Sequence, residues 1–161
     1  MGITRTMSFA LLALIGCTPA TVRELPSGAV PIAGPLDIVV QEYNSGINDR
    51  RRLVIRDAAA WQAFWNQAHG RYVPVPSAPV IDFSANIVIA ATMGGRPTGG
   101  YGIEIESLHE ASGDVFAIVI ERSAGPSCGT TQAFTAPVIA VRVPRPGADV
   151  TFVDQSKTID C

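Results

Sequence analysis

Three groupings of residues in this chain have types and spacings that chemistry uses. Gly125-Pro126-Ser127-Cys128-Gly129 matches G-x-S-x-G, the pattern that exposes a nucleophilic serine on a strained turn between a strand and a helix. The residues that follow, GTTQAFTAPV, carry no helical period, and the only histidines, His69 and His109, have no spacing that makes either one its base. Glu104 and Glu106 stand on one face of an alternating run, about 7 Å apart by strand geometry. Paired carboxylates do acid–base work on sugars, yet acidic residues alternating with apolar ones also describe an ordinary solvated strand face. The loop Gly94–Gly100 is glycine-rich enough to cradle a phosphate. It lacks the lysine and adjoining hydroxyl that complete a P-loop, and a strand follows it instead of a helix N-terminus. His69 and His109 also lack metal-ligand spacing with the cysteines. The residues therefore offer no complete catalytic set and no cofactor motif, and the expectation is a protein that is not an enzyme.

The stretch GGRPTGGYGIEIE, Gly94 to Glu106, carries the most information. It joins a wholly apolar run, Ile87 to Met93, to an alternating run in which Tyr101, Ile103 and Ile105 point one way. Between them the sizeable side chains are Arg96, Pro97, Thr98 and Tyr101, set among Gly99, Gly100 and their neighbours. Such a loop is either a tight connection or a presented recognition surface. As a recognition surface it suits another protein, because a stiff Gly/Pro loop loses little entropy on docking and Arg and Tyr are common interface anchors.

Around this loop the periodicities predict a mostly antiparallel α+β fold: a sheet or partly closed sandwich of about seven strands with one packed helix. Strands are expected at Leu36 to Tyr43, Arg52 to Arg56, Ile87 to Met93, Tyr101 to Ile105, Val115 to Glu121, Val138 to Val143 and Val150 to Val153. Asp57 reads as the cap of a helix ending at Gly70, with Trp61, Phe64, Trp65 and Ala68 at i, i+3, i+4 and i+7 as a core-facing stripe. Pro74, Pro76 and Pro79 make the segment from Tyr72 a loop or an edge strand.

The N-terminus reads as an export signal. Arg5 precedes an apolar run from Met7 to Ile15 that is too short for a bilayer, which needs roughly 20 residues. Leu14-Ile15-Gly16-Cys17 resembles a bacterial lipobox, implying removal of residues 1–16 and acylation of Cys17; the alternative is an ordinary secretory peptide with an incidental cysteine. Thr18, in place of an aspartate, resembles sorting to the outer membrane of a Gram-negative cell. Residues 17–35, with Pro19, Pro26, Pro31 and Pro35, read as a semi-extended tether holding a single domain, 36–161, tens of Å off the membrane. The chain has 12 basic and 14 acidic residues, and loss of Arg5 leaves 11 against 14. That balance argues against a nucleic-acid partner, which needs a concentrated positive face. With Cys17 assigned to lipid, Cys128 and Cys161 are left to form one disulfide or to stand as two free thiols.

Trp61 and Trp65, Asp82-Phe83, the strand to Met93, GGRPTGGYGIEIE and the loop ending TQAFTAPV together resemble the PrcB C-terminal-domain family of bacterial secreted and lipid-anchored proteins. The family is named for a lipoprotein subunit of a surface protease complex. The resemblance implies a non-catalytic accessory subunit that binds or stabilises a partner protein, a protease, at the cell envelope. RPTGGY is also similar to the loop that chagasin-type cysteine protease inhibitors wedge into a protease cleft, which keeps inhibition open as an alternative, beside a purely structural envelope protein.

Overall fold

A computed structural model describes residues 23–145 and 149–161; the signal segment and Cys17 lie outside them. In chain order the elements are β1 (Val30–Pro31), β2 (Asp37–Glu42), β3 (Arg50–Ile55), α1 (Ala58–Ala68), β4 (Asn86–Met93), β5 (Tyr101–Ala111), β6 (Asp114–Ala124), β7 (Val138–Pro144) and β8 (Val150–Ile159). They form two four-stranded sheets, ordered β1-β5-β6-β8 and β2-β7-β4-β3. Pairing is antiparallel throughout except between β6 and β8, which run parallel. The expected α+β, sandwich-like class is what the chain adopts.

The apolar run of β4 follows from its position. One face, Ile87, Ile89, Ala91 and Met93, joins Ile103, Ile105, Val119 and Val141 in the core between the sheets. The other face, Val88 and Ala90, packs with Trp61, Phe64, Trp65 and Ala68 of α1. A strand covered on both sides has no polar phase to show. The cap expected at Asp57 is present, its Oδ1 accepting from the Ala60 N–H at 2.8 Å. Each large side chain of the α1 stripe contributes about 1.5–3 kcal/mol by leaving water. The indoles also hold the proline-rich loop: Trp61 Nε1 donates to the Pro79 carbonyl at 3.0 Å and Trp65 Nε1 to Pro76 at 2.7 Å.

Two differences from the sequence-based expectation matter for function. First, the register of β5 on β6 shifts between Ile105 and Ser107, so Glu106 is the extra residue of a β-bulge. The bulge reverses the phase, and Leu108 returns to the core beside Ile103 and Ile105. Second, folded structure starts before Leu36. β1 pairs with β5, Val30 opposite Glu110 and Pro31 opposite His109, and the Ile32 N–H donates to the Leu108 carbonyl at 2.8 Å. Upstream, Arg23 Nη1 reaches Thr151 Oγ1 on β8 at 3.4 Å, and Leu25 lines a depression with Ile118 and Val153. Residues 23–31 thus cross the outer face of the β1-β5-β6-β8 sheet as a strap. Ile118 and Val153, on that outer face, are each only 4% exposed. β8 also extends to Ile159, well past Val153, because it is paired along its whole length with β6.

Strand direction gives the molecule two ends. The connection from β2 to β3, the loops 94–100 and 125–137, and Cys161 gather at one, here the loop end. The β5–β6 turn at Ser112 and Gly113 lies at the other.

Candidate functional site

The glycine loop and the loop after β6 are bonded to each other. The Arg96 N–H donates to the Thr135 carbonyl at 2.7 Å, and the Thr135 N–H donates to the Arg96 carbonyl at 3.0 Å; the Gly99 N–H donates to Thr131 O at 2.8 Å. Thr135 Oγ1 donates to the Thr98 carbonyl at 2.9 Å. This contact explains the glycines. A Cβ on Gly95 would lie 2.5 Å from Cζ of Phe134, and one on Gly100 would lie 2.8 Å from both Ala124 Cβ and Thr130 Cγ2. Gly100 also has φ +81°, a region that favours glycine.

Arg96 and Tyr101 are set into this assembly. Arg96 Nη2 donates to the Met93 carbonyl at 3.0 Å, stands 3.8 Å from Glu121 Oε2, and its guanidinium lies 5.4 Å from the Tyr101 ring centroid. Tyr101 packs against the core between the sheets. Pro97 and Gly100 are exposed, Thr98 is half-buried and Gly99 is buried. The candidate partner-binding residues are therefore together in space, but Arg96 and Tyr101 mainly prop the loop from beneath.

Glu121 belongs to a network closing the sandwich on the β3/β8 side. Arg50 Nε lies 2.7 Å and Arg52 Nη2 2.5 Å from Glu121 Oε1, while Asp154 receives Arg50 at 2.9 Å and Arg52 at 2.7 Å. Glu121 and Arg52 side chains are only 12% and 11% exposed. Partial burial alone would raise the Asp154 carboxyl; hydrogen bonds from Arg52 and Arg50 outweigh it and hold the group below the usual carboxylate range.

Solvent-facing groups at the loop end were not singled out in the sequence. Phe134 is 48% exposed and Tyr43 63% exposed. The Arg71 guanidinium lies 5.7 Å from the Phe134 centroid, and the Ala136 N–H donates to the Tyr43 carbonyl at 3.0 Å. Beside Tyr43 runs an open groove of about 330 Å³, bounded by Tyr101, Gly102, Arg122 and the bond between Cys128 and Cys161. An aromatic inside a polar loop, as Phe134 is in TQAFTAP, was the signal available.

The catalytic constellations do not assemble. Ser127 is exposed on a loop that leads into β7, not a helix. Glu104 pairs with Arg122, while Glu106 is displaced by the bulge. Ser107 Oγ lies 3.0 Å from His109 Nε2, but Nδ1 of that ring is buried without a partner, so no acid orients it as a triad requires. Among the described residues no three His, Cys, Asp or Glu side chains form a metal-binding group, and no helix is long and apolar enough to cross a membrane.

The resemblance read from GGRPTGGYGIEIE is borne out: the family model described as PrcB C-terminal matches residues 87–144, from β4 through β7. The matched segment holds both bonded loops; α1 with Trp61 and Trp65 precedes it. No curated protein and no solved structure matches the chain.

Proposed function

We propose that this protein is a non-catalytic accessory module of a protease complex, exported and held at the outer membrane by lipid on Cys17. The proposal further places the partner protease on the loop end. The observation that carries it is the PrcB C-terminal match over residues 87–144, because that segment contains the two loops bonded to each other. Their mutual bonding supports a rigid platform, which keeps the ordering cost of docking low. Phe134 and Tyr43 supply exposed aromatic surface there, and the groove beside Tyr43 adds Arg122. Pro97, Thr98 and Gly100 contribute the rim, and Arg96 with Tyr101 keeps it in place beside the buried Gly99.

Inhibition by an inserted wedge fits less well, since the Arg96–Tyr101 segment is bonded along the loop 131–135. Mild cross-linking in native membranes, followed by purification, tests the reading. Wild type should retain one protease that a Tyr43→Ala/Phe134→Ala variant loses while circular dichroism shows that variant still folded. Recovery of the same abundant envelope proteins by both forms would sink it. Adding the purified module to that protease then separates support from inhibition: a longer active lifetime marks an accessory subunit, and lost turnover an inhibitor.

A further inference from the structure

Of the segment expected to be a free tether, residues 23–31 are part of the strap. Only Thr18–Val22 separate Cys17 from Arg23, and a fully extended chain covers that span in about 20 Å. Arg23 Nη1 reaches Thr151 Oγ1 at 3.4 Å, and Thr151 pairs with Phe116 in the half of β6 away from the loop end. From Phe116 to Ala124, where β6 reaches the loop end, a strand extends about 26 Å. We propose that the domain therefore stands on the lipid surface rather than swinging above it. The end that carries Arg23, Thr151 and the β5–β6 turn lies nearest the bilayer, and Phe134, Tyr43 and the glycine loop, at the opposite end of the strands, point away from it. The occupant beneath that end is the bilayer that holds Cys17, because a tether of at most about 20 Å from Arg23 keeps that end nearer to it than the loop end. The proposal rests on lipidation of Cys17, and it implies that a partner is met at a fixed, short height.

The test uses the acylated protein extracted from membranes and placed in phosphatidylethanolamine/phosphatidylglycerol vesicles containing a gadolinium-chelate lipid. Amide relaxation should be enhanced several-fold more at Leu25 and Thr151 than at Gly95 and Phe134. A Gly/Ser insertion about as long as the strap, placed between Ala20 and Thr21, should flatten that difference. Equal enhancement at the two ends of the wild-type protein, or a stronger effect at Phe134, would overturn the orientation. The intact mass of the same preparation reads the anchor separately: an unmodified Cys17 removes the premise, whereas acylated protein with uniform relaxation defeats the orientation alone.

Discussion

The glycine loop at 94–100 carries four glycines and a proline, the strap at 23–31 two prolines and a glycine, and from composition both look free. Neither is. The loop is held from two sides, by backbone bonds to residues 131–135 and by Arg96 reaching Met93 and Glu121. The strap is held by a two-residue strand, one further backbone bond to Leu108, and the half-buried Leu25 above an apolar sheet face. Glycine and proline state which backbone angles a segment takes; whether it moves depends on who supplies its hydrogen bonds. Besides its backbone bonds the loop has a charged, partly buried partner in Glu121, whereas the strap's partners are few and near its two ends. The two segments should therefore come apart under different perturbations.

The largest effect is expected at the loop. Glu121→Ala leaves Arg52, whose side chain is 11% exposed, without one of its two carboxylates, and removes the anion facing Arg96. Loss of one partner from a buried pair strands the other charge, so stability should fall by about 3 kcal/mol in urea denaturation. Hydrogen exchange should show the Gly99 amide losing protection while the Ile32 amide keeps its own. Equal loss at both would mean that loop and strap open as one unit and the contrast is empty.

The signal for this network lies in the sequence, although the ion pairs were not among the expectations drawn from it. In VFAIVIE the alternation that buries Val115, Ala117 and Val119 puts Glu121 on the same inner face. Arg52 shares a face with Val54, which packs against that core. A charge in an apolar phase at a strand end forecasts an ion pair across the sandwich. The helix was plain because Asp57, the aromatic stripe and Gly70 agree, and β4 was plain because two cores demand an unbroken apolar run. The bulge at Glu106 was not, since nothing local distinguishes an extra residue from the next step of an alternation. β1 was missed for a related reason: Val30–Pro31 is too short to show a period, and its pairing is set by β5, far along the chain. The polar second half of β8 likewise becomes a strand through β6 rather than through its own residues. At the site, Arg96 and Tyr101 were found and the loop stayed open between a tight connection and a recognition surface, because spacing does not tell whether a side chain points out or under.

A smaller effect is expected at the strap. Leu25→Ala removes part of a half-buried side chain over Ile118 and Val153, worth about 1 kcal/mol at the usual value per buried methylene. The strap amides should exchange faster and the loop amides should not change. A drop as large as that of Glu121→Ala would show the strap to be a pillar of the fold instead of a cover.

The smallest effect is a dependence on pH. Asp154 lies on β8 next to Val153 under the strap, yet its carboxylate binds Arg50 and Arg52 on the loop side. Its folded value is depressed, despite burial, by those two arginines. The stability it contributes is therefore complete above the unfolded carboxylate value of about 3.9 and is lost as pH falls through the lower, folded value. With 38% of the side chain exposed, solvent screening keeps the contribution to less than about 1 kcal/mol. Asp154→Asn should therefore be slightly less stable than wild type at neutral pH, and the gap should close below about pH 4. A gap that stays constant to strong acid would show that the asparagine acts through packing under the strap. A gap that closes would show that Asp154 works for the loop side, even though its neighbour Val153 belongs to the strap.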